Sequence, residues 1–276
     1  MNVDLHCHST VSDGVLTPDQ VAQRAHEHGV NLWALTDHDE LAGLALAQQT
    51  ATDLGMQFIP GVEISVTWLN KTVHIVGLGI DYHNPQLIQS LAHVRSGRAQ
   101  RAHKIAAALA DLGIEGAFEG AIPFASNPEL VSRTHFARFL IQQGHCASMK
   151  EVFATYLGDT GPAYIPMQWA SLENAVRWIH EAGGVAVIAH PGRYDYTTLQ
   201  FDLLFDTFKA LGGQGIEVVT GSHAPAQYLE YAQVAKRYGF EASCGSDFHG
   251  PKEGRIDVGC LPPLPTGLHP IWQRWI

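Results

Sequence analysis

The stretch VDLHCHSTVSDGVLTPDQVAQRAHEHG, residues 3–29, decides the fold by the order of its parts. VDLHCH reads as a strand and SDG as a turn. The text then turns helical, with Thr17 placed to cap, Pro18 suited to the first turn and Gly29 to the end. The same order repeats in NLWALTD (31–37), a short apolar strand, LAGLALAQQTATDLG (41–55), a helix, and QFIPGVEISV (57–66), a third strand. Strand and helix alternating in this way imply a largely parallel sheet.

One junction departs from the pattern. Only TWLNK (67–71) separates the third strand from TVHIVGLGI (72–80), whereas a parallel crossover takes a dozen or more residues. A hairpin is expected instead, and a returning fourth strand brings His74 to the face that carries Glu63. From 85 to 168 the strand signal fades and SGRAQRAHKIAAALADLG (96–113), PELVSRTHFARFLIQQG (128–144) and MKEVFATYLG (149–158) read as helices of an insert. Alternation resumes with a helix in SLENAVRWIHEAGG, the strand VAVIAHP, a helix near 199–211, the strand GIEVVT, a helix near 225–238 and the strand EASCGSD. The expectation is seven strands, with a barrel domain of 1–84 and 169–276, a helical insert of 85–168 capping the site, and LPPLPTGLHP as an irregular closing segment.

Composition narrows the function. With 276 residues, 46% of them apolar, the chain can bury a barrel-sized core. A net charge of -10, from 27 acidic against 17 basic residues, argues against a long nucleic-acid track or an anionic membrane surface. MNVDLHCHS has no basic-then-apolar leader pattern, and no segment approaches the roughly 20 apolar residues of a spanning helix, so cytoplasmic residence is the expectation. Cys7, Cys146, Cys244 and Cys260 form no C-x-x-C pair and are expected as buried thiols. GGVAV lacks the order of glycines that marks a dinucleotide fingerprint. Histidine is the unusual count, at 16.

Barrel enzymes collect catalytic residues where strands end. His6 and His8 close the first strand, Asp37 and His38 the second, His190 the fifth, and Asp247 with His249 the seventh, while Glu63 and His74 join through the hairpin. The two-residue period of a strand sends His6 and His8 to one side and Cys7 to the other. H-x-H alone also describes two strand histidines with ordinary hydrogen bonds. TDHD, GVEIS, VHIVG, AHPGR and GSDFH supply the company that turns it toward a metal site. All donors are nitrogen or oxygen, which suits manganese, zinc, iron or magnesium in a catalytic site.

The motifs HCH, SDG, TDH, GVEIS, AHP and SDFH resemble those of the polymerase and histidinol phosphatase (PHP) superfamily over nearly the whole chain outside the insert. SRTHFARFL, GGVAVIAHPGRY and GSDFHGP look most like its bacterial 3',5'-nucleoside bisphosphate phosphatase and RNase AM branch. The resemblance implies an α/β fold, a distorted (β/α)7 TIM-like barrel, and three divalent metal ions, with manganese first. One is held by His6, His8, Glu63 and Asp247, a second by Glu63, His74 and His190, and a third by Asp13, His38 and His249. Asp4 and Asp37 then read as acids that orient imidazoles, or as plain polar residues at strand ends.

Magnitudes favour such a cluster over a lone acid-base pair. Phosphate monoester hydrolysis is accelerated by up to ~10^21-fold in enzymes, of which general acid-base catalysis supplies roughly 10^2 to 10^4. The expected nucleophile is a metal-bound hydroxide between the first two ions, with the third holding phosphate oxygens. Arg133, Arg193, His135, Arg101 and Lys104 are the groups to aim at a second phosphate, although arginine on an amphipathic helix also reads as a solvated face. Ser9 could donate to phosphate or hold the turn, and Trp68, Trp169 and Trp178 read as core or surface cover rather than base platforms.

The substrate that the resemblance implies is a nucleoside 3',5'-bisphosphate such as pAp. Alternatives are 5'-3' trimming of short RNA, histidinol phosphate hydrolysis, and a non-catalytic PHP module of the kind attached to DNA polymerases. The last would show degraded ligand positions, and none of the nine is lost.

Overall fold

The computed structural model describes residues 1–125 and 130–276. Seven strands follow one another in chain order around a nearly closed barrel: β1 (Val3–Asp4), β2 (Leu32–Leu35), β3 (Gln57–Trp68), β4 (Lys71–Leu78), β5 (Val185–Ile188), β6 (Gly215–Thr220) and β7 (Glu241–Gly245). β1 to β3 run parallel, as do β5 to β7, and β4 is antiparallel to both neighbours. Closure comes from Leu5 N donating to Cys244 O at 3.0 Å and from a bridge between Cys7 and Phe248. The distorted seven-stranded barrel expected from the sequence is the observed fold.

The hairpin is tighter than TWLNK suggested. The strands run on to Trp68 and resume at Lys71, leaving Leu69 and Asn70 at φ +45° and +63°. Positive φ at both central residues is what a two-residue turn of this hand demands. The register pairs Ser65 with His74 and Glu63 with Val76. Cross-strand partners and alternate residues share a face, so His74 lies beside Glu63 as expected.

Helices α1 (Pro18–Glu27), α2 (Leu44–Asp53), α7 (Leu172–Glu181), α8 (Thr198–Ala210) and α9 (Pro225–Tyr238) accompany the barrel. The barrel core includes Leu5, Trp33, Ile64, Ile75 and Phe248, each almost wholly buried. A second apolar cluster, with Ile105, Leu109, Phe136 and Leu140, holds together α3 (Pro85–Asp111), α4 (Ala117–Ala121), α5 (Arg133–Gln142) and α6 (Met149–Val152).

Two helix starts differ from the sequence reading. α3 begins at Pro85 rather than near 96, because Asn84 accepts from Leu87 N at 3.0 Å and caps it there. Its Leu87, Leu91 and Val94 belong to the barrel cluster and its Ala102, Ile105 and Leu109 to the second. α5 begins at Arg133, where Ser132 caps by accepting from Thr134 N at 3.2 Å. The earlier start expected at 128 falls partly on residues outside the described set. Cys7, Cys146 and Cys244 are buried, but Cys260 is exposed, since the irregular closing segment leaves it on the surface beside His28.

A candidate metal centre and its arginine pocket

Strand ends place the imidazoles. His6 and His8 lie just past the short β1 ladder and turn inward, while Cys7 points away to Ala34 O at 3.2 Å and to Trp33 Nε1 at 3.0 Å. Two glycines make room for this. A Cβ on Gly245 of β7 would sit 2.2 Å from His6 Cβ, and one on Gly14 of the SDG turn 2.5 Å from His8 O. His190 and Asp247 leave their strands at φ +27° and +55°, conformations that cost a non-glycine residue energy and recur at functional sites.

Glu63 is the hub. Its Oε1 lies 2.9 Å from His74 Nδ1 and 2.9 Å from His190 Nε2. Its Oε2 lies 2.9 Å from His38 Nδ1, 3.2 Å from His8 Nε2 and 3.3 Å from His6 Nε2. Asp247 Oδ1 is 3.3 Å from His8 Nε2, and Asp13 Oδ1 is 3.3 Å from His249 Nε2. Four sets of donors come close enough to share an ion: His8, Asp13, His38 and His249; His6, His190 and Asp247; His6, His8 and Glu63; His38, Glu63 and His74. All nine residues expected as ligands from the sequence fall in at least one of them.

These donors are short of partners. Among the described residues, Asp13 Oδ1, Glu63 Oε2 and Asp247 Oδ1 are buried without a hydrogen bond, and His6 Nε2 faces His8 Nε2 at 3.1 Å. Buried polar atoms are almost always satisfied, so a set of orphaned carboxylate oxygens aimed at converging imidazole nitrogens fits bound cations. The charges agree. Despite burial, the imidazoles of His74, His38 and His6 hold the Glu63 carboxyl well below its usual range. Burial, helped by Arg193, pushes His190 down to about 3, leaving a neutral ring able to ligate.

The expected supporting acids behave otherwise. Asp4 accepts from the backbone of Ser246 and Gly259, each at 2.8 Å, and of His6 at 3.4 Å, and so ties β1 to β7. Asp37 accepts from Ser9 N at 2.8 Å, Ser9 Oγ at 2.7 Å and Ser12 Oγ at 2.5 Å, and so fixes the turn after H-x-H. Neither carboxylate bonds an imidazole nitrogen, and Ser9 holds the turn. The acid that does reach a ring was missed. Glu217 on β6 accepts from His6 Nδ1 at 2.8 Å. A lone acid in the apolar GIEVVT was its one sequence signal.

Cations meet at a cavity of about 80 Å³ that His38, His74 and His249 line from the cluster side. Arg98, Arg101, Arg133 and Arg193 line it too, with Trp169. Arg98 and Arg101 lie over the Trp169 ring at 4.7 and 5.4 Å, and Arg133 over Tyr164 at 5.5 Å. Trp169 is thus a platform for guanidinium rather than mere cover, whereas Trp178 packs in the core and Trp68 against it. Arg98, missed in the sequence, bonds Asp39 and, at 3.0 Å, Ser65 Oγ. Among the described residues, its Nε and the Nη2 of Arg101 are buried without partners. Burial, with Arg133 and Arg98 nearby, pushes Arg101 down to about 9. Two expected cations are elsewhere. Lys104 is exposed, and His135 is buried with Nδ1 accepting from Ser132 N at 3.0 Å.

The PHP domain matches this chain over residues 4–209. The chain belongs to the PHP domain family. A 3',5'-nucleoside bisphosphate phosphatase of Chromobacterium violaceum is 51% identical over 99% of this chain and 96% of its own. A 5'-3' exoribonuclease of Escherichia coli is 42% identical over 99% of this chain and 93% of its own. A Chromobacterium violaceum amidohydrolase solved with bound sulfate and no metal superposes with a TM-score of 0.96 at 50% identity, covering 99% of this chain and 95% of that one. A Bifidobacterium adolescentis protein described as a metal-dependent phosphoesterase gives 0.82 at 26%, covering 98% and 92%. This PHP chain is accordingly a phosphoesterase with a divalent-metal centre, and among its described residues no helix is long and apolar enough to cross a membrane.

Proposed function

We propose that this PHP chain removes the 3'-phosphate of a nucleoside 3',5'-bisphosphate such as pAp and leaves the 5'-monophosphate. The observation that carries the reading is the pairing of a donor cluster with a pocket of guanidiniums in which, among the described residues, Arg98 Nε and Arg101 Nη2 have no hydrogen-bond partner. A substrate with two phosphates answers both. The nucleoside bisphosphate phosphatase relative agrees with it.

Three divalent ions, manganese first, would be held by His6, His8, Glu63 and Asp247, by Glu63, His74 and His190, and by Asp13, His38 and His249. When bound, such ions lower the pKa of water toward 7 and offset charge that builds on the phosphoryl oxygens. The protein's own groups do the rest. Glu63, touching five imidazoles, sets the spacing of the cluster. Arg101 and Arg133, on the insert of residues 85–168 that we take to cap the site, would grip the 5'-phosphate. Arg193, which donates to Asp247 Oδ2 at 2.8 Å, stands between the two. A guanidinium fork binds a terminal phosphate in two places and so favours a monoester dianion.

A second cavity of about 630 Å³ supports a companion activity on short 5'-phosphorylated RNA. Asp247 and His249 line it together with Lys150, Phe153 and Arg255, which leaves room for a nucleotide beyond the scissile phosphate. The test is to assay pAp, AMP, histidinol phosphate and a 5'-phosphorylated RNA pentamer side by side with manganese. Turnover of pAp well above AMP is expected, with 5'-monophosphates released from the pentamer. Turnover of histidinol phosphate alone would reject the proposal.

A further inference from the structure

Glu217 lies on a strand whose every residue is buried and is itself 1% exposed. Its two oxygens are both engaged. Oε1 takes His6 Nδ1 at 2.8 Å, and Oε2 takes the backbone N of His190 at 2.6 Å, where the chain leaves β5 at positive φ. The ladder between β6 and β7 shifts register between Glu217 and Val219, a local irregularity of the kind that re-aims a side chain. The carboxylate thus joins three elements that are separate in sequence: the H-x-H segment, the AHP turn and β6.

We infer that Glu217 is a positioning residue that keeps the proton of His6 on Nδ1, so that Nε2 turns a free lone pair to the centre, while it pins the His190 turn. The inference rests on the reading of the cluster as a metal centre. An ionised carboxylate only accepts, and a neutral imidazole carries one proton, so a proton held on Nδ1 leaves Nε2 bare. Nε2 is the atom that faces His8 at 3.1 Å and Glu63 at 3.3 Å. Partners of this kind outside the ligand set commonly tune metal affinity.

Glu217→Gln keeps the shape and inverts the logic. The amide has one accepting oxygen and one donating nitrogen, and it meets one donor that cannot change, the His190 N–H. Its oxygen must stay there, and its NH2 must face His6 Nδ1, which can then only accept. The His6 proton moves to Nε2, toward the centre.

Long-range 15N spectra of the metal-free protein, recorded at a pH high enough that the His6 ring carries a single proton and assigned through His6→Asn, read the tautomer directly. Manganese titration of the same samples reads affinity. Wild type is expected as the Nδ1–H form and Glu217→Gln as the Nε2–H form. Manganese affinity should fall roughly 10- to 100-fold in the variant, and kcat should recover at saturating manganese with the preference for pAp over AMP unchanged. An Nε2–H proton in wild type overturns the inference even if the variant fails to fold, as does equal manganese affinity in a folded variant. Wild type that binds no manganese overturns the metal-centre reading itself, and this inference with it.

Discussion

The barrel mouth and the helical insert both bury charge, with opposite signs and by different means. At the mouth, carboxylate oxygens of Asp13, Glu63 and Asp247 lack hydrogen bonds among the described residues and face imidazole nitrogens. In the insert, Arg98 and Arg101 stack on Trp169 and, among the described residues, keep unpartnered N–H groups. An uncompensated buried charge costs several kcal/mol. Arg98 is paired with Asp39, whereas no ion pair reaches Arg101 among the described residues, so we propose that the mouth is built for cations and the Arg101 side of the pocket for an anion. On the proposed function, the barrel would carry the hydrolysis and the insert would choose the substrate.

The sharpest way to break that division is at Glu63. Glu63→Gln removes the carboxylate shared by five imidazoles. Turnover of every phosphoester should fall by more than the roughly 10- to 100-fold typical of losing a partner outside the ligand set. Bound manganese, counted by atomic emission, should fall with it, and chelation of wild type should copy the loss. Retention of full metal content and activity in Glu63→Gln would remove the barrel's half of the comparison.

A smaller and more selective effect is expected in the insert. Arg101→Met deletes a charge-assisted contact of about 1.5–3 kcal/mol, so kcat/KM for pAp should drop roughly 10- to 100-fold. Turnover of 3'-AMP, which has no 5'-phosphate to lose, should change little. An equal fall on both substrates would mean that the arginines serve the reaction rather than the choice of substrate.

One link across the seam between the regions is Ser132, which donates to Asp13 Oδ2 at 3.1 Å and caps α5 at the same time. Ser132→Ala should cost about 1 kcal/mol in a urea unfolding midpoint and only a few-fold in turnover. A loss as large as that of Glu63→Gln would show that the insert helps to shape the centre.

The two regions were not equally legible in the sequence. The proposed barrel ligands announce themselves because strand geometry is local: a period of two makes H-x-H a pair, and a strand ending in TDH or SDFH delivers its side chains to one rim. The short link TWLNK was enough to bring His74 to Glu63. Glu217 stayed hidden because its partner, His6, is 211 positions away and no motif marks the strand between. Asp4 and Asp37 misled for the converse reason. They sit beside ligands in sequence, yet their oxygens are used up by backbone and hydroxyl groups nearby. In the insert, charge type was legible and helix phase was not. Arg101 was singled out with Lys104, while Arg98 passed unnoticed.

That phase supplies the smallest expected effect and the cleanest control. On an α-helix each step of three residues stops about 60° short of a full turn. From Arg98 to Arg101 the side chain stays on the buried face, but a second step carries Lys104 about 120° from Arg98, and it is exposed. If the insert acted by net positive charge alone, Lys104→Ala would weaken pAp turnover much as Arg101→Met does. If it acts through guanidiniums held over Trp169 and aimed into the pocket, Lys104→Ala should leave kcat/KM within about twofold and stability within about 0.5 kcal/mol. Kinetics of the two variants on pAp at low and high ionic strength would separate these cases. A salt-sensitive loss in Lys104→Ala would favour a diffuse field, and its absence would favour a site with a shape.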